Sequence, residues 1–235
     1  MAYKRVLLKL SGEQLAGKFD NGIDAELAAW LAHQISHVTK DGVQVVIMVG
    51  GGNYARGAQL AGHGIGRVTA DNVGMLATMM NAIALADVFN AVNVVSRALT
   101  NIKADQVADQ FTHRRAISDL NKGRAVIVAG GIGRPYLTTD TAAVSLALEL
   151  DCEVVLKATK VDGVYEKDPE KHPDAKKIDH LSFQEAVENN AIKVMDKAAL
   201  GLAMEHDLPI IVFNALEENN IAAAVSGVNV GTKIG

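Results

Sequence analysis

Two glycine-rich segments carry the clearest chemical signal in this sequence. Gly50-Gly51-Gly52 follows the apolar run Val43–Val49, and Gly130-Gly131-Ile132-Gly133 follows the apolar run Ala125–Ala129. Such continuous apolar runs are typical of strands buried on both faces of a parallel sheet. Glycine lets the backbone turn tightly after the strand and brings N–H groups close to an anion. Two such turns predict a ligand with more than one anionic group, and tight turns without a ligand are the alternative.

Lysines lie at the ends of two predicted strands. Lys9 ends the run VLLK, and Lys157 ends VVLK with Lys160 close behind. A buried ammonium group is unfavourable unless it is paired, and ligands of α/β proteins bind at the carboxyl ends of parallel strands. We therefore predict that Lys9 faces an anion, with Ser11 and Gly12 offering N–H groups nearby. The alternative is that Lys9 extends into solvent, and the two later lysines are a weaker signal.

Three acidic residues lie at predicted helix starts: Asp71, Asp140 after Thr138-Thr139, and Asp196. Asp and Thr are common N-caps, and the helix dipole favours an acid in the first turn. The functional alternative is a carboxylate that orients a lysine or holds Mg²⁺ at a phosphate site, or, for Asp71, one that accepts from a ribose hydroxyl. Phosphoryl transfer needs positive charge, a metal and donors that hold two phosphates in line.

Apolar runs alternate with helical stretches along the chain. The predicted strands are Lys4–Leu10, Val43–Val49, Val92–Ser96, Ala125–Ala129, Glu153–Lys157 and Pro209–Phe213. The predicted helices are Asp24–Lys40, Asp71–Phe89, Asp140–Leu150 and Val194–His206. This alternation predicts an α/β fold, a three-layer sandwich with a mainly parallel open sheet. The polar segment Tyr165–Asp179 predicts an exposed loop.

Composition indicates an ordinary globular protein, with 49% hydrophobic and 21% charged residues. A net charge of -4 gives no support to nucleic acid or an anionic membrane as a partner. The seven histidines have no metal-ligand spacing, and Cys152 has no second cysteine to pair with. No signal-peptide pattern is present, and we expect no apolar run that approaches the ~18 residues of a membrane span. We expect a cytoplasmic protein.

Six segments, taken together, resemble the amino acid kinase family, and within it the bacterial-type uridylate (UMP) kinase branch. They are KLSGE at Lys9–Glu13, GGGNYARG at Gly50–Gly57, DNVGMLAT at Asp71–Thr78, TTDTAA at Thr138–Ala143, KATKVDGVYEKDP at Lys157–Pro169 and KVMDKAA at Lys193–Ala199. GMLAT and the pairing of KATKVDGV with KVMD favour this branch over aspartokinase, glutamate kinase and carbamate kinase. The resemblance implies one domain over residues 1–235, with an acceptor half roughly 1–150 and a nucleotide half roughly 151–235.

The resemblance implies a reaction in pyrimidine nucleotide biosynthesis, the transfer of the γ-phosphoryl group of ATP to UMP. It implies ATP and UMP as partners, Mg²⁺ bound with ATP, and a homohexamer that in many relatives is under GTP and UTP control. From the net charge we expect no nucleic-acid or membrane partner. The alternatives are a same-fold kinase for another small acceptor, such as a carboxylate or carbamate, and a non-catalytic nucleotide-binding protein.

The resemblance also implies roles for individual residues, without a protein metal ligand. The catalytic residues would be Lys9, Asp140 and Asp196. The ATP side would contain Lys9, Leu10, Ser11, Gly12, Gly52, Arg56, Thr159, Tyr165 and Asp168. The UMP side would contain Gly51, Asp71, Ile132, Gly133, Arg134, Pro135, Tyr136, Leu137, Thr138 and Thr139.

One departure from the family pattern concerns the base-recognition loop. The common bacterial pattern there is G-T-G-N-P, whereas this chain has Gly131-Ile132-Gly133-Arg134-Pro135. Ile132 offers no side-chain hydrogen bond to a uracil edge, and Arg134 is longer and charged. Because hydrogen bonds discriminate best between bases, we expect UMP as the acceptor but with looser selectivity over CMP.

Overall fold

The computed structural model describes residues 2–55, 60, 64–167, 169, 171–172, 174–189 and 194–235. The helices in this part of the chain are α1 (Gly12–Leu15), α2 (Ala25–Lys40), α3 (Arg67–Ala91), α4 (His113–Leu120), α5 (Thr139–Glu149), α6 (Phe183–Glu188), α7 (Lys197–Glu205) and α8 (Asn220–Val225). The strands are β1 (Arg5–Leu10), β2 (Gln44–Val49), β3 (Ser96–Thr100), β4 (Asp109–Gln110), β5 (Ala125–Ala129), β6 (Val155–Thr159), β7 (Val164–Tyr165), β8 (Lys177–Ile178), β9 (His180–Leu181), β10 (Ile210–Asn214) and β11 (Gly231–Ile234).

One mixed sheet runs through the described part of the chain in the order β4-β3-β5-β2-β1-β6-β10-β11-β9. Its neighbouring strands are parallel except β10 and β11, and β7 and β8 form a separate antiparallel hairpin. From central β1 the chain first builds towards β2, and it later returns to β6 on the other side of β1. The strand order therefore reverses between β1 and β6, and such a switch point opens a ligand crevice at the carboxyl ends of the strands.

Helices cover both faces of the sheet. Side chains alternate along each strand, so one strand contributes to the core on each face. Leu8 and Leu10 of β1 point into a core shared with α2 and α3. Leu7 points into the opposite core, shared with α5 and α7. This confirms the predicted α/β sandwich. Lys9, two residues after Leu7, consequently lies on the α5 side.

Several predicted elements are confirmed with small shifts. The strand Ala125–Ala129 is confirmed as written. Asp24, the first residue of the predicted helix, is the N-cap of α2: its Oδ1 accepts from Glu26 N at 3.0 Å and from Leu27 N at 3.3 Å. The strand predicted at Val92–Ser96 was wrong, since β3 begins only at Ser96.

The segment Val92–Val95 instead ends the long helix. Val92 caps α3, and Val94 N donates back to Phe89 O at 2.8 Å. The predicted start of this helix was also wrong. Helix α3 begins at Arg67 after the N-cap Gly66, so Asp71 lies in its second turn and does not cap it.

Short and peripheral elements were missed by the sequence interpretation. Helices α4, α6 and α8 and the edge strands β4, β9 and β11 were not predicted. The predicted loop Tyr165–Asp179 is paired near both of its ends, where Tyr165 of β7 faces Lys177 of β8. Most of these elements are too short to show a period in the sequence. Helix α4 is the exception, because its Ala116, Ile117 and Leu120 lie at helical spacing and pack on the core.

Helix α3 is long and apolar enough to cross a membrane, with a mean hydropathy of 1.4 over its best window. It is the one such helix among the described residues. Half of that window is buried inside the fold. We expected no apolar run of membrane-span length, but α3 passes that test by length and composition, although polar residues such as Asn81 and Asp87 interrupt its apolar stretch.

Candidate active site

The switch point places two lysines side by side. Lys9 of β1 is in register with Lys157 of β6, so both side chains leave the same face of the sheet. Asp140, in the first turn of α5, lies between them. Its Oδ1 is 2.8 Å from Lys9 Nζ and its Oδ2 is 2.7 Å from Lys157 Nζ. Lys9 is only 8% exposed, so the alternative in which it extends into solvent is wrong.

This ion cluster of Lys9, Asp140 and Lys157 holds its carboxylate ionised. Burial alone would raise the pKa of the Asp140 carboxyl, but attraction by Lys9 and then Lys157 outweighs burial and holds that pKa below its ordinary value. Burial lowers the pKa of Lys157, with the repulsion of Lys9 adding to it and Asp140 opposing it. With all three groups charged, the ion cluster carries one excess positive charge. A preorganised centre of this kind stabilises negative charge that develops on a phosphoryl group.

Asp196 joins the starts of two helices beside the ion cluster. It caps α7, since Ala199 N donates to its Oδ1 at 2.9 Å. From α5, Thr141 Oγ1 donates to Asp196 Oδ1 at 2.9 Å, and the hydroxyl of Thr138 donates to Oδ2. The capping interpretation of Asp196 is therefore confirmed. It is also confirmed for Thr138, whose Oγ1 accepts from Asp140 N at 3.0 Å.

The first glycine turn packs directly against the turn that follows β1. A Cβ atom on Gly12 would lie 2.4 Å from Asn53 Oδ1 and 2.7 Å from Gly52 N. A Cβ atom on Gly51 would lie 2.8 Å from Ala77 Cβ of α3. The glycines are required here because backbones meet at distances that no side chain allows.

A buried asparagine pair fixes the first glycine turn to α3. Asn81 Nδ2 donates to Gly50 O and to Asn53 Oδ1, each at 2.7 Å. Asn53 Nδ2 donates in return to Asn81 Oδ1 at 2.8 Å. Both side chains are almost fully buried, so a broken bond would leave polar groups unsatisfied and would be costly.

The second glycine turn is attached to the same helix. Gly130 N donates to Thr78 Oγ1 at 2.7 Å, and Asn101 Nδ2 donates to Gly131 O at 2.5 Å. Gly130, Gly131 and Gly133 have φ angles of 81°, 54° and 75°, which glycine adopts readily. Both glycine turns therefore converge on α3.

A cavity of about 190 Å³ lies between the two turns. One face of helix α3 lines the cavity, through four residues with the spacing i, i+3, i+4 and i+7: Asp71, Gly74, Met75 and Thr78. The rest of the lining consists of Gly51, Ala55, Gly131, Arg134, Leu137, Thr138 and Thr139. The structure thus brings together Gly51, Asp71, Arg134, Leu137, Thr138 and Thr139 of the residues that the resemblance assigned to the acceptor. We call this the acceptor cavity.

Other residues of the acceptor set lie around this cavity in different roles. Ile132 is half-buried and packs against the core on the α5 side. Gly133 follows the glycine turn, where a Cβ atom would lie 3.4 Å from Asn101 O. Half-buried Pro135 leads to Tyr136, whose backbone N–H donates to Asp71 at the rim of the cavity.

Residues of the ATP set are divided between the two sides of β1. Ser11 caps α1, and its Oγ accepts from Gln14 N at 3.2 Å. Leu10 is buried in the core, so its backbone alone reaches the edge of the sheet, where Leu10 O accepts from Gly50 N at 2.9 Å. Gly52 faces α1, since a Cβ atom there would lie 3.1 Å from Glu13 Oε1.

On the β6 side, Thr159 lies two residues beyond Lys157, and its hydroxyl donates to Val161 O at 2.5 Å, with Phe213 O farther away at 3.2 Å. Tyr165 OH donates to Asp162 Oδ1 at 2.6 Å, in a hairpin away from the sheet. Arg56 and Asp168 lie outside the described residues.

The carboxylates at the ion cluster fit Mg²⁺ only if the ion is bound together with the phosphates of the substrate. Both oxygens of Asp140 face lysines, and those of Asp196 face hydroxyl and amide donors. The residues described by the structure contain no group of three His, Cys, Asp or Glu side chains that could hold a metal. Mg²⁺ commonly takes most of its ligands from substrate phosphates and water, so the protein need not form a cage.

Four residues of the site were underrated or missed from the sequence. Lys157 was given little weight, although it is in register with Lys9. Thr78 and Asn81 carry the glycine turns, and Thr141 holds Asp196. The helical spacing of Asp71, Met75 and Thr78 was the available signal for Thr78. Nothing local in the sequence marks Asn81 or Thr141.

The fold and the site define an α/β enzyme that handles phosphate groups. The model of the amino acid kinase family matches residues 4–214. The chain therefore belongs to the amino acid kinase family, and it is a phosphotransferase.

Solved structures agree with this family membership. A UMP kinase from Bacillus anthracis is 38% identical, with a TM-score of 0.94 over 100% of this chain and 96% of that chain. A UMP kinase from Ureaplasma parvum is 34% identical, with a TM-score of 0.91 over 100% and 99%. A uridylate kinase from Archaeoglobus fulgidus is 29% identical, with a TM-score of 0.74 over 98% and 99%.

We expect Asp140→Asn to destabilise the fold near neutral pH, because it leaves the ammonium groups of Lys9 and Lys157 buried without a counter-charge. Breaking a buried ion pair costs about 3–5 kcal/mol. The folded pKa of Asp140 lies below its ordinary value. Its stabilisation is therefore complete above the unfolded pKa of about 3.9 and is lost as the pH falls through the folded pKa.

Urea unfolding of wild type and Asp140→Asn, from neutral pH to below about pH 4, measures this difference. The gap in unfolding free energy should narrow at the acid end. Exposed Asp179 provides the control, because Asp179→Asn should stay within about 0.5 kcal/mol of wild type. A gap for Asp140→Asn that is independent of pH would contradict the assignment of the charge.

Proposed function

We propose that the protein is a UMP kinase that transfers the γ-phosphoryl group of ATP to UMP. The observation that carries this proposal is the ion cluster at the switch point, with the acceptor cavity beside it. The two solved UMP kinases that are 38% and 34% identical over the whole chain support UMP as the acceptor. We further propose that it is a cytoplasmic enzyme of pyrimidine nucleotide biosynthesis.

In the proposed reaction, Lys9 and Lys157 contact the oxygens of the transferring phosphoryl group. Asp140 keeps both ammonium groups charged and fixed between strand and helix. A fixed positive centre accelerates transfer because it requires no reorganisation when charge develops. Mg²⁺ bound with ATP would neutralise phosphate charge, and the protein's own part is to position donor and acceptor.

The acceptor is proposed to lie in the acceptor cavity, with its phosphate near the glycine turn at Gly51. Asp71 would accept from a ribose hydroxyl, since its carboxylate lines the cavity. The ATP side is proposed to lie towards β6 and the hairpin that carries Tyr165. The acceptor half of the chain would then be roughly residues 1–150, and the nucleotide half roughly residues 151–235.

Base recognition in this chain is proposed to depend on Arg134 and backbone groups. Arg134 is exposed and lines the acceptor cavity, whereas Ile132 packs against the core. A flexible charged donor such as Arg134 discriminates less sharply than a fixed hydrogen-bonding pair. Looser selectivity for UMP over CMP therefore remains our expectation.

A homohexamer is the proposed assembly. Leu76 and Met80 of α3 are each 50% exposed, and Val107 is 61% exposed. Met80 and Val107 border an open groove of about 660 Å³ that also contains Arg97 and Asp109. Contiguous exposed apolar surface marks interaction sites, and both signs of charge at its edge suit contact with a second copy. A self-complementary contact of this kind closes at a dimer, so the proposed hexamer also requires a second interface between such dimers.

The proposed reaction predicts that ADP release with UMP exceeds that with other acceptors. A coupled assay with ATP and Mg²⁺ would compare UMP with CMP, dUMP, aspartate and carbamate. Higher activity with aspartate or carbamate would indicate a same-fold kinase for another acceptor. Nucleotide binding without any turnover would indicate a non-catalytic protein, and either result would contradict the proposal.

Lys157→Met is expected to lower kcat by roughly 100-fold to 1000-fold, as Lys9→Met should, with small changes in KM. Each variant keeps Asp140 paired with the remaining lysine, so the fold should persist. Steady-state kinetics and thermal unfolding measure the two effects. Lys40→Met, at the exposed end of α2, is the control. A kcat for Lys157→Met within about threefold of wild type would assign catalysis to Lys9 alone.

The proposed hexamer predicts a six-chain species in sedimentation velocity of the wild-type protein. Met80→Glu should shift the protein to smaller species, because it places a charge on an apolar contact surface. Val228 is also exposed, at 56%, but lies outside this groove. Val228→Glu should therefore leave the assembly unchanged. A wild-type monomer would contradict the proposal.

A further inference from the structure

Arg67, Asp71 and Tyr136 form a closed cycle of contacts at the rim of the acceptor cavity. Arg67 Nε lies 2.8 Å from each oxygen of the Asp71 carboxylate. Tyr136 N donates to Asp71 Oδ2, also at 2.8 Å. The cycle closes because Arg67 Cζ lies 5.1 Å from the centre of the Tyr136 ring. One guanidinium group thus contacts both partners.

Local helix energetics do not account for Arg67. It is the first residue of α3, where the helix dipole disfavours a cation. No acid lies in the first turn, and the N-cap is Gly66, which has no side chain that could accept from the free N–H groups. Charge pairs four residues apart stabilise a helix best when the acid comes first, whereas here the base comes first. The position of Arg67 is better explained by what it contacts outside the helix.

Tyr136 adopts a backbone conformation that requires support. Its φ of 68° lies in the left-handed region, which bulky residues other than glycine rarely adopt. Its ring is 64% exposed, so burial does not hold it in place. The contacts that hold it are the N–H bond to Asp71 and the guanidinium group of Arg67 over the ring. The loop around the cavity is therefore attached to α3 through Asp71.

We propose that Arg67 is a positioning residue for the acceptor, acting through Asp71 and Tyr136. The inference rests on the proposed function of the acceptor cavity. Arg67 fixes the carboxylate of Asp71, which lines that cavity. Asp71 Oδ2 holds the Tyr136 loop, while Oδ1 retains a second lone pair for a ribose hydroxyl. The side chains of Arg67 and Asp71 are 48% and 15% exposed, so solvent reaches both members of the pair.

This role predicts an effect on acceptor binding and not on chemistry. A carboxylate that is held in place before binding stabilises the bound acceptor equally in the ground state and in the transition state. Loss of this positioning should therefore raise the KM for UMP and leave kcat unchanged. ATP binding should not change, because Arg67 contacts Asp71 and Tyr136, and neither of these belongs to the ATP set. A general loss of folding would instead affect both substrates.

The test measures UMP affinity by titration calorimetry, and KM and kcat for both substrates, in wild type and three variants. Arg67→Met should weaken UMP binding and raise its KM by about 10-fold, with kcat and the KM for ATP within about twofold. Arg67→Lys restores the charge without the planar fork and should recover part of the affinity. Tyr136→Gly keeps the backbone N–H donor and removes the strain of the left-handed backbone, but it also removes the aromatic ring. We expect the KM for UMP to rise by about threefold in this variant.

Arg124→Met is the matched control. Arg124 pairs with Asp119 at 2.8 Å just before β5, at the end of that strand opposite the glycine turn. It should lower thermal stability without changing UMP affinity. UMP affinity of Arg67→Met within twofold of wild type, or equal losses for UMP and ATP, would overturn the positioning role while leaving the proposed function intact. A wild-type protein that does not bind UMP would overturn both.

Discussion

The carboxylate of Asp140, held between the ammonium groups of Lys9 and Lys157, is the interaction on which the rest of the site depends. All three charged groups are largely buried. Buried charges are tolerated only when they are paired with good geometry. That pairing requires β1 and β6 to be adjacent and in register, and it requires α5 to begin above them. The need to satisfy these charges therefore couples the sheet order to the chemistry.

The acceptor side follows from a second constraint, the close approach of two glycine turns to one helix. Gly51 lies so close to α3 that a side chain there would clash with the helix. Gly130 contacts α3 through the hydrogen bond that its N–H donates to the hydroxyl of Thr78. Helix α3 therefore carries the cavity-lining stripe on one side and an exposed apolar surface on the other. This exposed surface borders the proposed contact between chains, and half of the most apolar stretch of α3 is buried inside the fold.

The sheet and most long helices could be predicted because their signals are local. Strand Ala125–Ala129 is a continuous apolar run, and Asp24 before α2 is a cap followed by a periodic helix. The strand predicted at Val92–Ser96 failed because Val92 and Val94 are β-branched yet complete the end of α3. Asp71 failed as a cap because the helix extends back to Arg67. Tertiary packing overrides propensity at such boundaries.

By itself the sequence determined the kind of site, because glycines after buried strands, lysines at strand ends and acids near helix starts are local patterns. It did not determine which of these groups meet. Lys157 gave a weak signal until parallel pairing placed it beside Lys9. The same holds for Asn81 with Gly50, and for Arg67 with Tyr136. Only the tertiary structure decided these partnerships, because pairing in a parallel sheet and across a helix joins residues that are distant in the chain, and no local pattern records such distances.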